Sequence, residues 1–459
     1  MVVLNCLIRF AILCVFTLVS LIFADSLSNE YQMLSSKVKA LEEKSASLEA
    51  QLSGQHPESR FRGPQAIYNS GLVIAEDKSY TITIGGYARL DLLYTPEQIA
   101  DHQSFTTATI PVKNADNQKQ VNGGHYVDAK NQVELNAKQS RLNLLAEMPL
   151  QWGKFIAFIE GDFWGEGVFR LRHAFGEFSD FNIWGGKGAL TLGQTDSSFA
   201  IPDSQPNTVD FQGPNATFGD RFALIRFRQQ VNNWLSFQLG IERNQYNVDD
   251  DNAHIDDVEI TVNEFESNYP MVVAALMLGN QHHNIQFSAA YANLKVDLSI
   301  DTDSQFVDDD LEIDGHAFNL GGMVSLLENT HLRYYAVYSK GLGLLIPDLS
   351  SGYAEGISGL NANKIQIKSL ESYGFSLNLE QILNEQWSTN LIWSTVTVDN
   401  TQGQPEYAYQ SADYWAANIM WTPTKQFMFG LEFLYGTREN KSGQDGDASR
   451  VQFAAQFNF

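Results

Sequence analysis

The chain has 459 residues and a formal net charge of -24 at pH 7, but only 18% of its residues are charged and 12% are aromatic. Beyond residue 24 no apolar run approaches the roughly 18 residues that a membrane-spanning helix needs, which excludes a helical membrane protein. We expect no nucleic-acid partner for so acidic a chain.

The first 24 residues have the pattern of an export signal. Arg9 precedes the apolar run 10–23, and Ala24 supplies a small residue for cleavage. An uncleaved anchor is the alternative, although the run is short for a membrane span. Both cysteines, Cys6 and Cys14, lie in this segment, so the mature chain is expected to lack disulfides and thiolate chemistry.

Residues 25–53 contain a heptad repeat on a polar background. Its two core positions hold Leu27, Leu34, Leu41 and Leu48, and Tyr31, Val38, Ser45 and Leu52. Such a seam needs a partner to bury it, which predicts a short α-helical coiled coil and leaves open whether two or three strands form it. A single amphipathic helix lying on the body of the protein is the alternative. Residues 54–79 follow and are predicted to form a linker, because their first part combines prolines with glycines.

From Tyr80 onward the apolar residues recur at every second position, as in a β-strand with one apolar face. The final stretch VQFAAQFNF (451–459) follows this rule and ends on an aromatic residue. About 16 such segments are long enough to be tilted membrane strands. They lie near 80–94, 138–148, 154–164, 168–180, 188–196, 221–229, 234–244, 269–278, 283–298, 313–326, 331–341, 367–380, 386–398, 412–422, 426–437 and 449–459.

The connections between these segments alternate in length. Short turns such as PLQWG, QVNN, GNQH, LENT and PTK occupy every second junction. Mostly long, polar connections lie between them, at 95–137, 197–220, 245–268, 299–312, 342–366, 399–411 and 438–448. Residues 80–459 are therefore predicted to form an all-β, transmembrane antiparallel β-barrel of about 16 strands. A soluble β-sandwich or β-helix would also alternate along each strand, but it does not explain the alternation of loop lengths.

The apolar C-terminus is predicted to be the last strand of this barrel. A closed barrel has no edge only if its last strand pairs with its first, and the odd-numbered side chains of 451–459 would then face lipid. Phe459 is expected at the level of the lipid headgroups. An even strand number places both ends of the barrel on one side of the membrane.

The interior of a barrel of this size is expected to be a water-filled channel. Strand alternation points eleven charged side chains inward: Arg89, Arg141, Arg170, Arg172, Arg226, Arg228, Asp91, Glu147, Glu160, Asp162 and Glu242. Each arginine could be neutralised by a nearby carboxylate and serve only the structure. Alternatively, six arginines on neighbouring strands could recognise passing carboxylates or phosphates, because arginine stays charged and presents planar donor forks. We expect them to line the pore.

The net negative charge does not contradict an anion path. Much of it lies in two acidic runs, 249–259 and 301–314, which are assigned to the rim of long loops. Exposed charges more than about 10 Å away are largely screened by salt. The runs could also gather divalent cations near lipopolysaccharide. Residues 197–220, with three prolines and two glycines, are predicted to fold inward and to narrow the pore opposite the arginines. An ordinary outer loop is the alternative.

Six stretches carry a resemblance to a known family. They are GGYARLDLLY (85–94), KQSRLNLLAE (138–147), FIEGDFWG (158–165), FRLRHAFGEF (169–178), LTLGQTDSSF (190–199) and VDFQGPNA (209–216). In this order they resemble the DcaP-like porins, and from about residue 245 onward the likeness is only architectural. The resemblance implies a trimeric, 16-stranded outer-membrane channel with an N-terminal periplasmic coiled coil. It also implies uptake of small anions such as dicarboxylates, with Arg89, Arg141, Arg170 and Arg172 at the constriction. Asp196 departs from the aromatic residue that such sequences commonly have after GQT.

Two other classes of function are compatible with a barrel. A lipid-hydrolysing barrel would need a serine and a histidine on its lipid face. His173 is the candidate by strand alternation, but no serine motif accompanies it. A structural or adhesive role fits the coiled coil but leaves the arginines unexplained. We therefore predict a porin rather than an enzyme, without catalytic residues, metal or cofactor. We expect it in the outer membrane of a Gram-negative bacterium, in contact with the bilayer and lipopolysaccharide, as a homotrimer held through residues 27–52 and the barrel walls, with both termini in the periplasm.

Overall fold

The fold is seen in a computed structural model. It describes residues 72–77, 79–97, 99–113, 119–121, 125–126, 130–165, 167–244, 258–266, 269–302, 305–349, 355–359, 365–401, 404 and 406–459. The predicted export signal, the predicted coiled coil and most of the predicted linker lie outside the described residues. So does most of the acidic run 249–259.

Sixteen of the described strands pair antiparallel, each with the next, and close into one cylinder. They are β1 (Tyr80–Glu97), β2 (Arg141–Leu150), β3 (Gly153–Gly165), β4 (Val168–Ile183), β5 (Gly186–Asp196), β6 (Arg221–Gln230), β7 (Leu235–Glu242), β8 (Met271–Gly279), β9 (His283–Thr302), β10 (Gln305–Leu327), β11 (Thr330–Lys340), β12 (Glu371–Ile382), β13 (Trp387–Asp399), β14 (Tyr409–Thr424), β15 (Phe427–Asn440) and β16 (Asp445–Asn458). Each overlaps one predicted segment, so the predicted all-β barrel is confirmed.

The outer surface of the barrel is apolar and the inner surface is largely polar, which inverts the pattern of a soluble sheet. In β15, Phe427, Leu431 and Phe433 are 43%, 49% and 50% exposed on the outside. Glu432 and Arg438, on the inner face of the same strand, are 0% and 2% exposed. A surface of exposed aromatic and aliphatic residues around a closed barrel is stable in lipid and unstable in water.

The barrel is closed by β1 and β16, as predicted. Their register runs from Tyr87 opposite Asn458 to Tyr94 opposite Val451. Gly86 and Phe459 then exchange two backbone hydrogen bonds of 3.2 and 3.1 Å, so even the last residue is paired. Only glycine fits at position 86, where φ is +152° and an added Cβ would lie 2.2 Å from the carbonyl oxygen of Arg141.

A further strand, Leu72–Asp77, lies in the segment predicted as a linker. It pairs with the first residues of β1, with Leu72 opposite Ile84 and Asp77 opposite Tyr80. It therefore uses the same edge of β1 as β16 does and begins where Phe459 ends. The short turns and both of these ends lie at one rim of the barrel, which we call the short-turn rim, and the opposite rim is the long-loop rim.

Two of the predicted long loops are instead strands. β9 and β10 pair as far as Thr302 and Gln305, so residues 299–302 and 305–312 belong to two paired strands, which include much of the acidic run 301–314. β15 and β16 likewise pair as far as Glu439 and Asp445, which leaves only 441–444 as the turn. Both extensions lack the alternating apolar pattern in the sequence, because a strand that extends above the lipid needs no apolar outer face.

Smaller elements complete the described chain. The additional strands are Val112–Lys113, Lys119–Val121, His125–Tyr126, Lys130–Asn136, Val258–Glu266, Glu355–Gly359 and Ile365–Ser369. The short 3-10 helices are Thr107–Thr109, Pro202–Ser204, Gly343–Leu345 and Pro347–Leu349. No helix among the described residues is long and apolar enough to cross a membrane.

Part of the lumen is filled, which corrects the expectation of a uniformly water-filled interior. Segments 99–113, 197–220 and 341–349 enter it and bury apolar side chains against the inner faces of later strands. The largest cluster includes Phe199, Ile201, Phe218, Leu342, Leu345, Ile346, Val273, Tyr335, Val396 and Tyr409. A second joins Ile99, Phe105 and Ile110 to Ile392, Tyr414 and Leu434. The strands that meet these loops carry apolar residues on both faces because both faces are covered.

Candidate functional site

Residues 197–220, which we call the inward loop, line the inner surface of the barrel on the side of β7 to β16. Six inward side chains on six of these strands donate hydrogen bonds to backbone carbonyl oxygens of the loop, and they are Gln238, Gln286, Asn319, Arg333, Asn418 and Gln452. An irregular loop inside a barrel needs such donors, because its buried carbonyl groups have no ladder partner. The loop folds inward as predicted, on the side of the lumen away from β2 to β6.

The middle of the inward loop is held by side chains of three neighbouring strands, β15, β16 and β1. Arg89 and Gln452 donate to the carbonyl oxygen of Val209. The carboxylate of Glu432 accepts from the backbone nitrogens of Val209 and Asp210, at 3.2 and 2.7 Å. Both carbonyl and amide groups of this segment are thus held by charged or amide side chains, which fixes its position against these three strands.

Asp210 shapes the turn that follows. Its Oδ1 accepts from the backbone nitrogen of Phe105 at 3.0 Å, and its Oδ2 accepts from Gly213 at 2.8 Å. Gly213 has φ +72°, which favours glycine. Burial raises the pKa of the Asp210 carboxyl above its usual value, and the charge of Arg450 and the two backbone donors oppose that rise. The turn carries Phe211 toward the wall formed by β3 and β4.

On that wall, three arginines and two carboxylates form one connected network, which we call the arginine cluster. Arg170 grips Asp162 with a fork, with Nε to Oδ1 at 3.0 Å and Nη2 to Oδ2 at 2.8 Å. Arg172 bridges both acids, with Nη1 to Asp162 Oδ2 at 2.8 Å and Nε to Glu160 Oε1 at 3.1 Å. Arg141 Nη1 lies 3.5 Å from the same Glu160 oxygen. Three guanidinium groups against two carboxylates leave one net positive charge.

The arginine cluster presents its positive groups to the lumen. The side chains of Arg170 and Arg141 are 38% and 20% exposed, whereas those of Asp162 and Glu160 are 0% exposed. The carboxylates lie behind the guanidinium groups and hold them in place. A solute in the lumen therefore meets guanidinium groups rather than carboxylates.

An aromatic pair covers part of this cluster. Phe211 of the inward loop stacks on Trp164 of β3, with ring centroids 3.7 Å apart and ring planes 12° apart. The guanidinium carbons of Arg170 and Arg172 lie 5.9 and 6.0 Å from the centre of the Phe211 ring, at the outer limit of a cation–π contact. The inward loop and the arginine wall thus meet at Phe211.

The other predicted pore-lining residues lie on the same wall but outside the cluster. Arg89 pairs with Asp91 at 2.8 Å, and Arg228 pairs with Glu177 at 3.3 Å. Arg226 donates from Nη1 to the carbonyl oxygen of Asp196 at 3.0 Å.

Glu147 lies toward the short-turn rim, opposite Thr81 and Ile156, six positions along β2 from Arg141. The structure therefore brings together Arg141, Arg170, Arg172, Glu160 and Asp162, but not Glu147.

The predicted placement of His173 on the lipid face is wrong. The pairing of β3 with β4 runs from Glu160 opposite His173 to Gly161 opposite Leu171, so β4 has a bulge at this point. The extra residue turns both Arg172 and His173 toward the lumen, where they are 6% and 8% exposed. His173 Nδ1 lies 3.0 Å from Thr195 Oγ1. The lipid-hydrolysing alternative thereby loses its candidate histidine.

Sequence reasoning missed three residues next to the site. Arg221 Nη1 lies 4.0 Å from Asp196 Oδ1, but alternation in β6 placed Arg221 among apolar neighbours. Phe211 and Trp164 stand in the stretches VDFQGPNA and FIEGDFWG, yet nothing local shows that they meet. Among the described residues, no group of three or more histidine, cysteine or acidic side chains could hold a metal ion.

No family model and no curated protein matches the sequence. Solved structures do match the fold. The crystal structure of the outer membrane channel DcaP of Acinetobacter baumannii is similar with a TM-score of 0.65 and 18% identity, over 84% of this chain and 100% of that chain. The outer-membrane expressed OmpT of Vibrio cholerae gives a TM-score of 0.50 and 8% identity, over 84% and 100%. The 16-stranded barrel implied by the resemblance to DcaP-like porins is thus confirmed.

Proposed function

We propose that this protein is an outer-membrane porin through which small anionic solutes, such as dicarboxylates, diffuse passively. The observation that carries the proposal is the arginine cluster, in which exposed guanidinium groups stand in front of buried carboxylates inside a closed barrel. The inward loop and its apolar core occupy the opposite side of the lumen. The open path for a solute then follows the wall of β1 to β6.

The chemistry of the cluster suits a carboxylate. Arginine presents parallel N–H donors that match the two oxygens of a carboxylate, and it cannot lose its charge at physiological pH. A guanidinium about 4 Å from an anion contributes about 1 kcal/mol in water and about 4 kcal/mol at an effective dielectric of 20, before desolvation. Exposed guanidinium groups in a wet lumen lie toward the lower value, which favours passage over trapping.

The location proposed is the outer membrane of a Gram-negative bacterium. Trp152, Trp184 and Trp234 are 56%, 78% and 57% exposed at the short-turn rim. Tyr94, Tyr291 and Tyr373 are 40%, 51% and 42% exposed toward the long-loop rim. Two aromatic belts around an apolar band are typical of outer-membrane barrels. The short-turn rim, with both barrel ends and the proposed coiled coil, would then face the periplasm, and the long-loop rim would face lipopolysaccharide.

The oligomer proposed is a homotrimer. The heptads of residues 27–52 support self-association, and barrel walls would supply the remaining contact. Because a trimer of channels contains three parallel paths, single insertions into a planar bilayer should raise the current in three equal steps.

Liposome swelling tests the proposal directly. Liposomes containing the purified protein should swell faster in a C4 dicarboxylate than in a neutral sugar of similar size. Protein-free liposomes and liposomes with heat-unfolded protein serve as controls. Equal rates for both solutes would contradict anion preference, and no swelling beyond the controls would contradict a channel and leave the structural or adhesive alternative.

A further inference from the structure

We propose that Phe211 is an aromatic gate, whose stack on Trp164 covers part of the arginine cluster and must open before a solute can bind the guanidinium faces of Arg170 and Arg172 that the ring occupies. The inference rests on the proposed function, since a gate matters only if solutes pass. The inference is based on one contact between the inward loop and the arginine cluster. Phe211 of the loop lies next to the guanidinium groups of Arg170 and Arg172.

The backbone on both sides of this contact is held firmly. Val209 and Asp210 are clamped by Glu432, and Asp210 closes the turn onto Gly213. On the opposite wall, the backbone nitrogen of Trp164 donates to Asp162 Oδ1 at 3.2 Å, and Asp162 also holds both arginines. Because the loop and the wall are fixed, opening requires rotation of the Phe211 side chain rather than movement of the whole loop.

The Phe211 side chain differs from the other large aromatic residues of the inward loop. Phe199 and Phe218 are 0% exposed and belong to the apolar cluster beneath the loop. Phe211 is only partly buried and is not a member of that cluster.

The stack and the solute compete for the same guanidinium faces. With the ring in place, Phe211 covers one face of the guanidinium groups of Arg170 and Arg172, and with the ring turned away that face is open to the lumen. An anion would therefore bind preferentially to the open arrangement. The energy of one aromatic pair corresponds to a roughly two- to tenfold bias toward the closed arrangement.

The test combines single-channel recording with a double-mutant cycle. Phe211→Ala and Trp164→Ala each remove the stack, so each should raise single-channel conductance roughly two- to tenfold. Each should also lower the concentration of dicarboxylate that half-blocks the chloride current by a similar factor. The double variant should match the single variants, because all three remove the same closed arrangement.

Gln212→Ala is the matched control, because it lies on the same turn and outside the stack. It should leave conductance and block unchanged. Phe211→Leu keeps much of the side-chain volume without an aromatic face and should behave like Phe211→Ala, which separates the gate from simple filling of space. Phe211→Leu can also be measured in place of Phe211→Ala if the alanine variant does not fold.

The outcomes separate the two proposals. A wild-type protein without conductance would overturn the proposed function itself. A conducting wild type with unchanged conductance in Phe211→Leu and Trp164→Ala would overturn the gate and leave the channel intact. Independent effects that multiply in the double variant would also overturn it, since the two rings would not then act as one closed contact.

Discussion

Replacing Arg170 and Arg172 by alanine should reverse the ion preference of the channel, not merely weaken it. The arginine cluster contains Arg141, Arg170 and Arg172 against Glu160 and Asp162, a net charge of +1. The double variant keeps Arg141 and both acids, a net charge of -1. Because the two carboxylates would lose the groups in front of them, they would become the charges that a solute meets.

The size of the effect follows from the exposure of the two arginines. Arg170 is 38% exposed, so its interaction with a passing ion is screened nearly as in water, at about 1 kcal/mol for a separation of about 4 Å. Arg172 is only 8% exposed and would contribute at least as much. Two such charges amount to about 2 kcal/mol for an anion, or roughly a thirtyfold change in the local concentration of anions, and the concentration of cations changes in the opposite direction.

The assay is the reversal potential in a planar bilayer under a salt gradient. Wild type should show anion preference, and the double alanine variant should show a reversal potential of opposite sign. The variant Arg170→Lys with Arg172→Lys keeps both charges and should keep the wild-type sign. Salt should reduce every difference, because screening shortens the range of these charges.

An unchanged reversal potential in the double alanine variant would refute the assignment of selectivity to this cluster. The charges that matter would then lie elsewhere on the wall, for example at the Arg89–Asp91 or Arg228–Glu177 pairs. Circular dichroism and the shift in gel mobility on heating should be measured alongside, so that the comparison is made between folded barrels.

Three further predictions concern the barrel and its loops. Gly86→Val should reduce the yield of folded barrel in a heat-shift gel assay, because its Cβ would lie 2.2 Å from the carbonyl oxygen of Arg141 beside the closing strand. Burial raises the pKa of Asp348 from 3.8 to about 6, against hydrogen bonds from Thr107 and Tyr409. The contribution of the protonated Asp348 carboxyl to the free energy of unfolding should be complete below pH 4 and lost as the pH rises through 6. Proteolysis of segment 341–349 should therefore increase over that range in wild type but not in Asp348→Asn. Planar-bilayer recordings should show triplet conductance steps, and single steps would contradict a trimer.

Strand positions could be predicted because lipid on one side and a polar lumen on the other impose a period of two. The outward residues of β16, such as Val451 and Phe453, show this directly. The pairing of the last strand, which ends near Phe459, with the first strand could also be predicted, because an apolar C-terminal segment must be buried or paired. These are local signals that each strand carries for itself.

The bulge at Arg172 and His173 could not be predicted in the same way. Alternation assigns sides by counting, and one extra residue reverses every assignment beyond it. Leu171 faces outward and Phe175 faces inward. Because these residues are four positions apart, strict alternation without a bulge would place both on the same side of the barrel. Arg221 was missed for a related reason, because it stands where β6 meets the inward loop.

The path of the inward loop depends on contacts that are remote in sequence. Val209 is held by Arg89 and Gln452, which are 120 and 243 residues away. The sequence nonetheless contains a local indication that loops cover the inner face of some strands. The stretch MVVAALMLG of β8 is apolar at nearly every position, and a strand of this kind is covered on both faces. The inner residues Met271 and Val273 of that strand are 0% exposed beneath the loops.

The structural interpretation of the arginines and the proposed functional one are compatible with a single arrangement. Paired arginines were expected either to stabilise the wall or to select solutes. In the structure, Asp162 holds Arg170 through two hydrogen bonds while remaining 0% exposed itself, and the side chain of Arg170 keeps 38% exposure. Pairing from behind removes the flexibility of a long side chain without cancelling its charge toward the lumen. A guanidinium group fixed in this way can select an anion with less loss of side-chain entropy than a free one would incur.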